Sequence, residues 1–70
     1  MNKTQAVLYL YYYLQQGKSI YLDEVMNDFD ISLSTFRRYI SELNIFLCET
    51  YQNKVVYYDY SSNSYYLKEI

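Results

Sequence analysis

The chain contains no histidine, no proline and no tryptophan, with a single cysteine and a single glycine. Each absence excludes something. Without histidine and with Cys48 alone, neither a disulfide framework nor a zinc site with ordinary ligand spacing can be assembled, so no metal is expected and a reducing, cytoplasmic setting is. Gly17 on its own makes no glycine-rich phosphate loop, and no nucleophile stands beside an evident base, so the chain is not expected to be an enzyme or to hold a cofactor. The longest apolar run, Ala6 to Leu14, falls far short of the roughly 20 residues a membrane span needs. The opening Met1-Asn2-Lys3-Thr4 lacks the charged, apolar and small-residue order of a signal peptide. A soluble protein without a membrane partner is the expectation.

What the chain has in excess is tyrosine, 12 of 70 residues. Each brings a ring that packs and a hydroxyl that must stay wet or paired. Seventy residues make one domain, 1–70, and a chain so short buries only about 60% of its unfolded surface. With no repeat, low-complexity tail or linker, nothing marks a second unit. The net charge of −2 gives no broad basic field of the kind nonspecific nucleic-acid binders carry. Local charge is another matter, because Arg37 and Arg38 stand together while Asp23, Glu24, Asp28 and Asp30 crowd the segment before them.

Asn2 to Gln16 reads as a first helix, with Thr4 as N-cap and Gly17 in the left-handed position after its end. Val7, Leu10, Tyr11 and Leu14 form the stripe facing the core. Tyr9, Tyr12 and Tyr13 fall on the other side, where clustered rings mark a contact surface or lie over neighbouring segments. After Lys18-Ser19, Ile20-Tyr21 is predicted to be a short extended piece pairing with the C-terminal hairpin. A second helix runs from Leu22 to Phe29, with Asp23 and Glu24 at the positive end of its dipole.

A break at Asp30-Ile31 precedes Ser32, which can cap a third helix with Phe36, Ile40 and Leu43 on its apolar stripe. That is a helix-turn-helix layout. Ser34, Arg37, Arg38 and Ser41, at i, i+3, i+4 and i+7, share the opposite face. The bland alternative for the arginines is a solvated face with Arg38 paired to Glu42 at i+4. Two endings compete for this helix. One stops near Leu43 with Ile45 to Thr50 as a strand; the other continues to about Glu49, adds Leu47 to the stripe with Tyr51 flanking it, and leaves Ile45 pointing away from the core. The lack of Gly or Pro at Asn44-Ile45-Phe46 favours the longer helix. Cys48, near its end, reads as partly buried packing. Lys54 to Tyr60 and Ser64 to Lys68, joined by Ser61-Ser62-Asn63, form a hairpin. Tyr65 and Leu67 face the helices and Tyr66 and Lys68 face outward. The inward set of the first strand is open between Val55/Tyr57 and Val56/Tyr58. The predicted fold class is α+β.

The order of three helices and a hairpin, with Ser-x-x-Thr-Phe-Arg-Arg-x-Ile-x-x-Leu on the third helix and a closing Tyr-Tyr-Leu strand, resembles the winged helix-turn-helix DNA-binding domains of bacterial transcription regulators. It looks most like the amino-terminal domains of the DeoR-type, WYL-type and Mga-like regulators, and the resemblance covers essentially the whole chain. The resemblance implies a third helix lying in the major groove of double-stranded DNA, phosphate contact by Ser32 or Thr35, and groove contact by Ser34, Arg37 and Arg38. Ser41 and Lys54 complete the candidate DNA-binding set. Such domains often precede a sensor domain, so a regulatory domain or a second copy is an implied partner. This chain departs from the pattern in having Tyr39 where DeoR-type domains place an acid, and in having Asp30 and Ser62-Asn63 where the family favours glycine.

If Arg37, Arg38 and one lysine neutralise ~3 phosphates, the salt slope is about −2.7, roughly 40-fold between 50 and 200 mM salt. A monomer so equipped binds weakly, and two copies on a palindrome give useful affinity. Tyr9, Tyr12, Tyr13 and Ile45 are then the candidate partner-binding residues. The rival reading keeps the same fold but uses the tyrosine-rich face of helix one for protein contact, as an antagonist of another regulator.

Overall fold

The computed structural model describes all residues, Met1–Ile70. Three helices and three short strands follow in the order α1 (Lys3–Gln15), β1 (Ile20–Tyr21), α2 (Leu22–Phe29), α3 (Leu33–Glu49), β2 (Lys54–Asp59) and β3 (Ser64–Glu69). This is a small α+β arrangement with one antiparallel sheet, ordered β1-β3-β2.

Asn2 and not Thr4 caps helix α1, which therefore starts at Lys3, two residues before a Thr4 cap would start it. The Asn2 side chain accepts from the Gln5 N–H at 2.9 Å, and the Gln5 side chain accepts from the Asn2 N–H at 3.3 Å. This reciprocal pair satisfies two donors that the helix itself cannot, which a lone Thr4 hydroxyl would not do. Its other end follows expectation: Gly17 sits at φ 79 and its N–H donates to the Leu14 carbonyl at 3.0 Å. The buried line of the helix is Ala6, Leu10 and Leu14, with Val7 and Tyr11 half-buried along one edge.

Between α2 and α3 the chain turns through Asp30, held in the left-handed region at φ 52, ψ 51. The Ile31 N–H reaches back to the Met26 carbonyl at 3.2 Å, closing the end of α2. Aspartate tolerates this conformation better than most residues and so stands in for glycine. Ser32 then caps α3 by accepting from the Thr35 N–H, and the helix runs unbroken for 17 residues to Glu49. The longer ending therefore holds. Leu47 joins Phe36, Ile40 and Leu43 on the buried side, and Ile45 is exposed opposite them. Tyr51 does not flank the stripe. It lies beyond the helix at φ 56, almost wholly in solvent, while Gln52 N–H bonds back to the Leu47 carbonyl at 3.1 Å.

The hairpin pairs Lys54 with Glu69 through Asp59 with Ser64. β1 adds to its free side, Ile20 opposite Tyr65 and Tyr21 opposite Ser64. Val56 is the buried residue of β2, which settles that Val56 and Tyr58 look inward. Tyr57 and Tyr66 meet on the outer face, ring centroids 5.7 Å apart. Sheet and helices close on one cluster built around the fully buried Phe36, with Leu10, Leu14, Ile20, Leu43, Leu47 and Val56 about it. Burying a side chain of this size is worth ~1.5–3 kcal/mol, so this cluster carries most of what a 70-residue chain has to offset its ordering entropy. Helix α2 contributes only half-buried residues, Leu22, Val25 and Phe29, to its edge. No helix is long and apolar enough to cross a membrane.

Candidate nucleic-acid interface

The candidate interface is the solvent side of the first half of α3. Amphipathic spacing turns Phe36 and Ile40 into the core, and the same 3.6-residue period turns Ser34, Arg37, Arg38 and Ser41 out of it. All four are exposed. Ser32 and Thr35 lie at the helix start, where the Ser32 hydroxyl donates to Thr35 Oγ1 at 3.0 Å and lies 3.1 Å from Ser34 Oγ. No acid occupies the first turn, so the positive end of the helix dipole is left uncompensated beside two arginines.

The chain has six cationic side chains, and the structure disposes of them unequally. Lys3 pairs with Glu42 at 2.8 Å, the chain's one ion pair. That contact takes the carboxylate the sequence offers to Arg38, and Arg38 is left without an acidic partner. The Lys18 ammonium lies 5.0 Å from the Tyr13 ring centroid, and that of Lys68 lies 4.6 Å from the Tyr57 ring. Lys54 is half-buried at the start of β2, opposite Glu69. It lies against the C-terminal half of α3, lining the same hollow as Asn44, Leu47 and Cys48, and not beside the first turns that carry Ser32 to Arg38. The structure does not bring Lys54 together with the other six candidates. Only Arg37 and Arg38 stand side by side with neither an acid nor an aromatic ring engaging them.

The hairpin turn adds no positive charge. Its shape comes from Asp59, whose carboxylate accepts from the Ser61 N–H at 3.0 Å, the Ser61 hydroxyl at 2.8 Å and the Ser62 hydroxyl at 3.0 Å. Those donors, the Ser61 hydroxyl first, hold the Asp59 carboxyl below the usual carboxylate range. An anionic tip is unsuited to gripping phosphate. Next to it, the Tyr58 hydroxyl donates to the Asn63 side-chain carbonyl, fixing Asn63 at φ 51.

The four residues expected to meet a partner separate into two pairs. Tyr12 and Ile45 point into solvent. Tyr9, 45% exposed, also meets the edge of Phe29 on α2 at 5.7 Å, and its ring stacks at 5.9 Å on that of Tyr13, which is half-buried. Two residues absent from the sequence-based set belong with Tyr12, namely Leu8, 61% exposed, and Phe46 on α3. Tyr11 meets Phe46 edge-on at 5.3 Å and so links the two helices at this face. Leu8 precedes Tyr12 by one helical turn, the spacing that could have revealed it. Cys48 is exposed, not partly buried, because it falls beside the core line and not on it. No group of three or more Cys, Asp or Glu side chains is placed to hold a metal ion.

Comparison with protein families, with characterised proteins and with solved structures finds no match to this chain.

Proposed function

We propose that this chain is a winged helix-turn-helix domain that binds double-stranded DNA as a transcription regulator, with α3 in the major groove. The observation that carries the reading is the pair Arg37 and Arg38, adjacent, exposed and free of any acidic partner on the outer face of a capped helix. The planar fork of arginine matches the two acceptors of a guanine edge or a phosphate. Ser34 and Ser41 are small enough for the helix to sit close, and the short left-handed turn at Asp30 supports a helix-turn-helix relationship between α2 and α3.

With Lys54 remote and the hairpin tip anionic, each protomer neutralises ~2 phosphates, for a salt slope near −1.8 and roughly a 12-fold loss between 50 and 200 mM salt. Useful affinity then requires two copies. The exposed apolar side chains Leu8, Tyr12, Ile45 and Phe46 support a second copy there, and the same observation favours the second reading, a module that docks on another protein through this face.

Fluorescence-anisotropy titration of a randomised duplex pool at 50 and 200 mM salt, with the native chain and an Arg37→Ala/Arg38→Ala variant, tests the proposal. Binding that weakens with salt and disappears in the variant is the expected result. Equal binding by both proteins, or none at low salt, moves the function to the apolar face.

A further inference from the structure

A cavity of about 430 Å³ opens between α1, β1 and α2, away from the arginine face. Its walls include the rings of Tyr9, Tyr13, Tyr21 and Phe29, and its lining also includes Glu24 and Asp28. We propose that this cavity is a binding site for a small organic cation with an apolar body, of the quaternary or alkylammonium kind. The proposal goes beyond the DNA-binding reading and does not rest on it.

Three observations converge on that chemistry. The first is size, since 430 Å³ lies within the range of about 300–1,000 Å³ typical of small-molecule sites. The second is the wall. Aromatic faces attract cations through the ring quadrupole, and several rings around one space are the usual means of holding an ammonium whose charge is shielded by carbon. Tyr13 already receives such a contact, from the Lys18 ammonium at 5.0 Å. The third is charge. Glu24 and Asp28 stand at i and i+4 on α2, on one face of the helix, where like charges repel. Neither takes part in the chain's one ion pair, and apart from the Lys18 ammonium on the Tyr13 ring the charged side chains at the cavity are these two acids. A cation lodged against the rings relieves that repulsion, whereas an anion meets it.

The test uses benzyltrimethylammonium as probe, with benzyl alcohol as neutral and phenylacetate as anionic counterpart, each titrated into the full chain without DNA. Assigned tyrosine ring resonances report the site by NMR. The expected result is a saturable shift at Tyr9, Tyr13 and Tyr21 with Tyr12 unmoved. The cation should bind at least roughly tenfold more tightly than the alcohol, and Glu24→Gln/Asp28→Asn should lose about that factor. Both substitutions neutralise exposed, unpaired carboxylates, and the amide dispersion of the variant's spectrum checks that it is folded. The proposal is overturned if the alcohol binds as well as the cation, if the double variant binds the cation as the native chain does, or if no shift saturates by about 10 mM probe.

Discussion

The side-chain carbonyl of Asn44 accepts the Val56 backbone N–H at 2.8 Å, tying the middle of α3 to the outer edge of the sheet. β2 is an edge strand, and an edge N–H turned away from β3 has no ladder partner. Val56 is buried, so without Asn44 that donor would be left unpaired beneath a helix. Asn44→Ala is expected to cost ~1–3 kcal/mol, read as a lower urea midpoint at unchanged slope. Asn44→Asp keeps the acceptor oxygen and should lose less. Equal losses in the two variants would show that the side chain matters for its packing alone.

Substitutions at Ser32 separate stability from the proposed DNA binding. Its hydroxyl caps α3, and Ser32→Ala should lower stability by ~1 kcal/mol. Ser32→Asp retains the cap and adds negative charge where the helix dipole favours it, so chemical denaturation should find it as stable as the native chain or more so. If α3 lies in the groove as proposed, DNA affinity should nevertheless fall, because the new carboxylate would face phosphate. An aspartate variant that binds the duplex pool like the native protein would remove the start of α3 from the DNA contact.

Tyr51 is held at φ 56 with 93% of its surface exposed. A left-handed conformation costs an L-residue with a Cβ ~1–2 kcal/mol, and so exposed a ring recovers almost nothing through packing. Tyr51→Gly removes the clash and pays unfolded-chain entropy, for a net gain of up to ~1 kcal/mol in denaturant midpoint experiments. Tyr51→Val, β-branched at the same backbone angle, should be destabilised. A glycine variant no more stable than the valine one would contradict the strain.

Asp59 sets the behaviour in acid. Its folded pKa is lowered by the Ser61 hydroxyl, then by the Ser62 hydroxyl and the Ser61 N–H. A depressed carboxyl stabilises the fold fully above its unfolded value, near pH 4, and that contribution is lost as pH falls through the lower folded value. Asp59→Asn should therefore melt below the native chain at neutral pH, with the gap closing below about pH 4. A gap constant down to about pH 2.5 would mean that the loss comes from the turn geometry and not from the charge.

How far the sequence carries can be seen residue by residue. Leu47 on the Phe36 stripe correctly extends α3 to Glu49, and the pairing of Ile20-Tyr21 with the hairpin follows from its apolar, extended character. Where local signals tie, the sequence does not choose. Lys54 to Tyr58 is apolar and aromatic on both faces, so alternation cannot say which side is buried; Asn44, ten residues and more away in the chain, fixes it from α3. Asn2 and Thr4 are both competent caps, and Gln5 decides between them by answering Asn2. The arginine face was legible because it needs only one helix. By contrast, the removal of Lys54 from that face and the contact of Tyr9 with Phe29 on α2 depend on how elements far apart in sequence come together.

The apolar face of α1 and α3 gives the last expectation. Leu8 and Tyr12 are 61% and 66% exposed, one turn apart, and Phe46 reaches the same side through its contact with Tyr11. If two copies join there, each brings its own α3 to DNA, and two half-sites about 34 Å apart, or a multiple of that, become the preferred target. Leu8→Glu/Tyr12→Glu places charge on both copies at the centre of such an interface without touching the buried line of Ala6, Leu10 and Leu14. Sedimentation at ~100 μM should find the native chain self-associated and the variant monomeric, with melting temperatures alike at low concentration. On a palindromic duplex the variant's salt slope should fall from about −3.6 to about −1.8, one protomer's worth of phosphates. A native chain that sediments as a monomer while still showing the steeper slope would place the second set of phosphate contacts within a single copy, and the dimer would be withdrawn.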